Sequence, residues 1–97
     1  MRIIAFRTLR GFWEVHPDVE QPLRNWHATA KAAHWKSPAD VKADYRKASI
    51  IANDRVVFNI HGNRYRLITA VDYRYSIVYI RFIGTHREYD KVDARTI

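Results

Sequence analysis

The 97-residue chain has no cysteine, and only three glycines and three prolines. Without thiols there is no disulfide scaffold, no cysteine nucleophile and no thiolate zinc site. Glycine and proline are scattered, which leaves no linker, low-complexity segment or repeat, and no Gly-rich loop for a nucleotide phosphate. No apolar run approaches the roughly 20 residues that cross a bilayer. The start, Met1 to Arg10, interleaves basic with apolar residues instead of presenting the apolar stretch of a signal peptide. The expectation is one soluble, cytoplasmic domain with no membrane association.

What is present is positive charge on a foldable body. Seventeen Lys and Arg oppose ten Asp and Glu, a formal net charge of +7, while 47% of residues are hydrophobic and 13% aromatic. A basic disordered tail would be poor in aromatics. The excess is even along the chain: nine basic and five acidic residues lie in 1–50, eight and five in 51–97. The charge therefore belongs to the folded body and points to a polyanionic partner such as nucleic acid.

Periodicity gives the elements. Residues 2–5 read as a short strand, and Phe6 to Val15 as a helix stopped at His16-Pro17. Asp18 offers an N-cap with Gln21 at the capping-box position. Leu23, Trp26, Ala30 and Ala33 then form one apolar stripe of a helix running to about Trp35. Ser37-Pro38-Ala39-Asp40 starts a short helix over 38–45. The period then drops to two. Arg55 to Ile60 and Arg64 to Val71 alternate about a tight turn at His61-Gly62. A second turn, Asp72 to Ser76, leads to a third strand, Ile77 to Ile83, apolar enough on both faces to be central or shielded. Thr85 to Asp90 is polar and too short for an independent helix. The fold class is α+β: an N-terminal strand and two helices on one face of an antiparallel sheet that ends in a three-stranded meander. The first strand joins the sheet edge, and the other sheet face stays available for a ligand.

The chemistry gathers on the last two strands. Arg64 and Arg66, two apart, share a face, and Arg81 lies on the neighbouring strand. His86, Arg87, Glu88, Tyr89 and Asp90 follow where that strand ends. Guanidinium grips phosphate, histidine moves protons near neutral pH, and tyrosine stacks on bases or joins proton transfer. Each Arg alone is as readily solvated or paired as functional, while His86 alone reads as a satisfied surface or core histidine and Tyr89 alone as packing. Together they suit an anionic ligand such as RNA. His27 and His34 are seven apart, too far for a paired chelate, and no metal site is expected. Trp13, Trp26 and Trp35 read as core, and Lys31, Lys36, Lys42 and Lys47 as a solvated face that a polyanion could use.

Two segments carry a resemblance. Val57-Phe58-Asn59-Ile60-His61-Gly62-Asn63-Arg64-Tyr65-Arg66 matches the pattern V-F-N-x-x-G-N-x-x-R. Ile80-Arg81-Phe82-Ile83-Gly84-Thr85-His86-Arg87-Glu88-Tyr89-Asp90 matches I-R-x-x-x-T-H-x-E-Y-D. With these motifs the chain resembles the HigB-type toxins of type II toxin–antitoxin systems, within the RelE/ParE superfamily. The resemblance implies a RelE-like fold and an mRNA interferase, a metal-independent endoribonuclease using the substrate's 2′-hydroxyl, with no cofactor. It implies Arg66, Arg81, His86, Glu88 and Tyr89 as catalytic residues, and Asn63, Arg64, Arg87 and Lys91 as RNA contacts. The implied partners are mRNA, the ribosome and a HigA-type helix-turn-helix antitoxin, through which alone operator DNA is reached. The alternatives are a non-catalytic RNA- or ribosome-binding module and a ParE-like, gyrase-directed toxin. The Thr85-His86 and Tyr89-Asp90 cluster weighs against the latter.

Overall fold

The structure, a computed structural model, describes residues 1–97. Strand β1 (Arg2–Ile4) leads into α1 (Phe6–Val15), a 3-10 turn (Pro17–Val19), α2 (Glu20–Ala32) and α3 (Pro38–Asp44). Strands β2 (Ser49–Ile51), β3 (Arg55–Ile60), β4 (Tyr65–Asp72) and β5 (Ile77–Thr85) follow, then one helical turn, α4 (His86–Tyr89). The α+β class and the three-stranded meander are as expected.

The sheet runs β1-β5-β4-β3-β2. It is mixed, not wholly antiparallel, because β1 pairs parallel with β5, with Ile3 beside Val78. A strand that leaves an edge through helices can return to it in parallel, whereas hairpin-linked strands cannot. Strand β2 was not anticipated. It pairs three residues, Ser49 to Ile51, with Val57 to Arg55 across a turn in which Asn53 and Asp54 both have positive φ. Asn and Asp tolerate that conformation better than other non-glycine residues.

The apolar stripes of α1 and α2 bury Leu9, Trp13, Leu23, Trp26 and Ala30 against Val56, Phe58, Leu67, Val71 and Val78 of the sheet. All three tryptophans are core, as the stripes indicate. Helix α2 stops at Ala32, three residues short of Trp35, because Ala33 turns extended with ψ 157°. Trp35 is nonetheless buried, and its indole N–H donates to Asp44 Oδ2 at 2.8 Å. Ser37 caps α3 by accepting from the Asp40 N–H. Asp18 does not cap α2. It sits in the 3-10 turn and reaches across to β4.

The far face of the sheet is not open throughout. Val57, Ile68 and Ala94 form a second buried cluster, with Phe82, Tyr89, Val92 and Ile97 packed against it. The C-terminal segment thus covers the middle of this face, since apolar side chains on it would otherwise face water. What stays exposed is the end of the sheet at the β3–β4 turn and α4, and the opposite end around Arg74 and Arg81.

Candidate active site

Arg66 anchors this exposed end. On β4 it lies opposite Asn59 of β3 and Gly84 of β5, and the alternation of the strand directs it away from the helices. One guanidinium nitrogen donates to the Asn63 carbonyl at 3.1 Å, and its carbon lies 5.8 Å from the centre of the Tyr89 ring. The absence of a side chain at Gly84 matters here: a Cβ would stand 2.5 Å from Phe82 Cζ and 3.2 Å from Glu88 Cβ.

Helix α4 presents the other groups. Although a single turn, it is held by a capping box: Thr85 Oγ1 accepts from the Glu88 N–H at 3.1 Å, and Glu88 Oε1 accepts from the Thr85 N–H at 2.8 Å. The His86 N–H donates to the Arg64 carbonyl at 3.1 Å, tying the turn to β4. His86 and Tyr89 then meet edge to face, ring centres 6.5 Å apart. His86 Nδ1 lies 3.3 Å from Asp90 Oδ2, and Nε2 makes no hydrogen bond within the protein. Arg66, Tyr89 and His86 therefore form one contiguous, solvent-accessible group.

Glu88 is committed to the cap. The backbone N–H of Thr85, the Thr85 side chain and the nearby positive charge of His16 and Lys91 together hold its carboxyl below the ordinary value. A depressed folded pKa contributes stability that is present above the ordinary value of 4.5 and is lost as pH falls through the folded value. Glu88→Gln is therefore expected to unfold with a shallower dependence on pH below about 4.5 than the parent protein. Thermal melts of both proteins between neutral and acidic pH check this; parallel curves would mean that the cap does not depend on the charge.

Arg64 does not share a face with Arg66. β4 begins only at Tyr65, and the preceding residues form a turn in which His61 and Gly62 have positive φ. The alternation rule does not extend into that turn. Arg64 instead lies 3.5 Å from Asp18 Oδ2 on the helix side, where the Tyr65 hydroxyl donates to the Asp18 carboxylate at 2.9 Å. That hydrogen bond, helped by His61 and Arg64, holds the Asp18 carboxyl below its ordinary value, while burial and Asp18 push the Tyr65 phenol up.

Arg81 is not brought to Arg66 either. β5 slips register against β4 between Ile68 and Thr69, and Arg81 is the extra residue of that bulge. Its guanidinium leans back over the Tyr79 ring at 5.5 Å, into a separate cleft that includes Asn53, Asp54 and Arg74. Arg66 leans the opposite way, toward Asn63, and Phe82 stands between the two levels. Asn63, Arg87 and Lys91 are exposed around the group, while Lys42 is spent on the Arg46 and Ala48 carbonyls. No three His, Asp or Glu side chains converge as a metal-ligand set.

Two features escaped sequence reading. One is the role of Thr85 as cap of α4, for which the T-x-x-E spacing of Thr85 and Glu88 was the available signal. The Asp18–Tyr65 pair, 47 residues apart, left no local signal.

Residues 19–92 match the model of a family described as HigB_toxin, the RelE-like toxic component of a toxin–antitoxin system. The chain is 28% identical over 92 residues to the mRNA interferase toxin HigB of Escherichia coli (strain K12), covering 93% of this chain and 88% of that one. The mRNA interferase HigB of Escherichia coli O157:H7 and that of Shigella flexneri match with the same identity and coverage.

Proposed function

The chain belongs to the family of HigB toxins, the RelE-like toxic components of toxin–antitoxin systems, and on that premise we propose that it is an endoribonuclease that cuts mRNA in association with the ribosome. Its relatives are named mRNA interferases, which supports the substrate. The reading rests above all on the convergence of Arg66, Tyr89 and His86 on the exposed end of a strongly basic domain. A HigA-type helix-turn-helix antitoxin is its neutralising partner, and operator DNA is met through that antitoxin.

In this mechanism the substrate's 2′-hydroxyl attacks the adjacent phosphorus and the bond to the 5′-oxygen breaks. A cyclic phosphate forms on one fragment and a hydroxyl on the other. Arg66 holds the phosphate and the charge that builds on it. His86 carries the proton through Nε2, the nitrogen not paired with Asp90. Tyr89 stacks against a base or assists the transfer. Glu88 acts by position, holding the turn that carries both rings. Asn63, Arg64, Arg87 and Lys91 contact the flanking RNA, and Arg81 meets the strand farther along the sheet. None of these steps calls on a metal.

The test is primer extension on a reporter mRNA after induction, with and without its start codon. New 5′ ends in the translated reporter alone are the expected result. Ends in both reporters would remove the ribosome from the reading. Intact mRNA in arrested cells would overturn the nuclease, and DNA damage signalling alongside it would favour a gyrase-directed toxin.

A further inference from the structure

β2 ends opposite Val57, so the outer edge of β3 from Phe58 to Ile60 has no strand partner. A cleft of about 410 Å³ opens there, between the 44–48 segment and the β3–β4 turn. Tyr45 and Phe58 form its apolar wall, Asn59 and Asn63 supply amides, and Arg46 and Lys47 stand at its rim. Neither Asn side chain makes a hydrogen bond within the protein, and neither basic residue has a carboxylate within ion-pair distance. The acidic neighbour, Asp44, is engaged by the Trp35 indole.

The position of this cleft identifies its occupant. Asn59 is the direct partner of Arg66 in the β3–β4 register, on the same face and one strand spacing away, about 4.8 Å. A strand of RNA with its scissile phosphate at Arg66 therefore lays an adjoining nucleotide over Asn59. A carboxamide offers both a donor and an acceptor, the combination that reads a base edge, and single-stranded RNA can splay a base into such a site. An unpaired strand edge adds backbone donors and acceptors beside it.

We propose that this cleft is the base-selecting subsite for a nucleotide flanking the cut, read by Asn59 with Asn63 and anchored through its phosphate by Arg46 and Lys47. The proposal rests on the nuclease reading above. An acidic peptide would use Arg46 and Lys47 but has no need of two free amides next to Arg66.

Sequencing of 5′ ends in RNA from cells expressing the parent protein, Asn59→Ala, Asn59→Asp or Arg46→Glu/Lys47→Glu tests it. The parent is expected to show a base bias at one position beside the cut. Asn59→Ala is expected to lower that bias about tenfold, and Asn59→Asp to move it toward bases that donate. The double charge reversal is expected to reduce cutting at all sites while leaving the bias in place. Should Asn59→Ala not fold, as judged by its thermal melt, Asn63→Ala in the exposed turn takes its place. Frequent cutting by every variant with the parent's bias intact would overturn the subsite, as would a parent with no bias. An absence of cuts by the parent would overturn the nuclease reading and the subsite with it.

Discussion

His86→Gln is expected to lower the rate of RNA cleavage by about 10²–10⁴-fold while leaving the fold in place. The imidazole is exposed, and its side chain contributes to neither apolar cluster, so its removal leaves no cavity. The His86 N–H that bonds the Arg64 carbonyl belongs to the backbone and survives the substitution. Gln keeps a donor but cannot exchange a proton near neutral pH. Arg66→Ala is expected to cost about 10²–10³-fold through lost stabilisation of charge on the phosphate. Single-turnover cleavage of a labelled RNA, on ribosomes if the start-codon control demands them, measures both. Variants that melt like the parent and cut at its rate would place the chemistry elsewhere on the domain.

Phe58→Ala is expected to destabilise the fold by about 3–5 kcal/mol. Phe58 is 1% exposed, with the rings of Trp26, Trp35 and Tyr45 at centroid distances of 5.3, 6.1 and 5.1 Å. These rings come from α2, the segment before α3 and the segment after it, so no single one can shift to fill the void. A loss of that size is a large share of the roughly 5–15 kcal/mol typical of a small domain. Urea unfolding at neutral pH is the measurement, and a midpoint close to the parent's would show that the aromatic cluster relaxes around the gap.

The elements visible in the residues alone were those whose signal is short-range. The stripe from Leu23 to Ala30 needs one helix to be legible, and the alternation from Val56 to Ile60 needs one strand. The Ser37 cap and Pro38 start belong to the same kind. β2 was not legible, although Asn53-Asp54 between two β-branched runs was its one available mark, because Ser49 and Ile50 are exposed and only pairing with Val57 and Val56 makes them a strand. Trp35 likewise shows no reason to be buried outside a helix until Asp44 is beside it.

For the candidate site the division is sharper. Residue type and spacing marked Arg66, His86 and Tyr89, and the charge of +7 marked a polyanion as the partner. Periodicity and capping act over one or two turns, and a single segment carries them. Which of those residues meet depended on the sheet as a whole. The turn that ends at Arg64 sends its guanidinium to Asp18, and the bulge at Arg81 sends that one to Tyr79. Gly84, opposite Arg66, makes room for the Phe82 ring and Glu88, and α4 sets Tyr89 beside Arg66 and His86 beside Tyr89. Strand register and bulge position are settled by the pairing energy of all five strands together, so no one strand's residues record them.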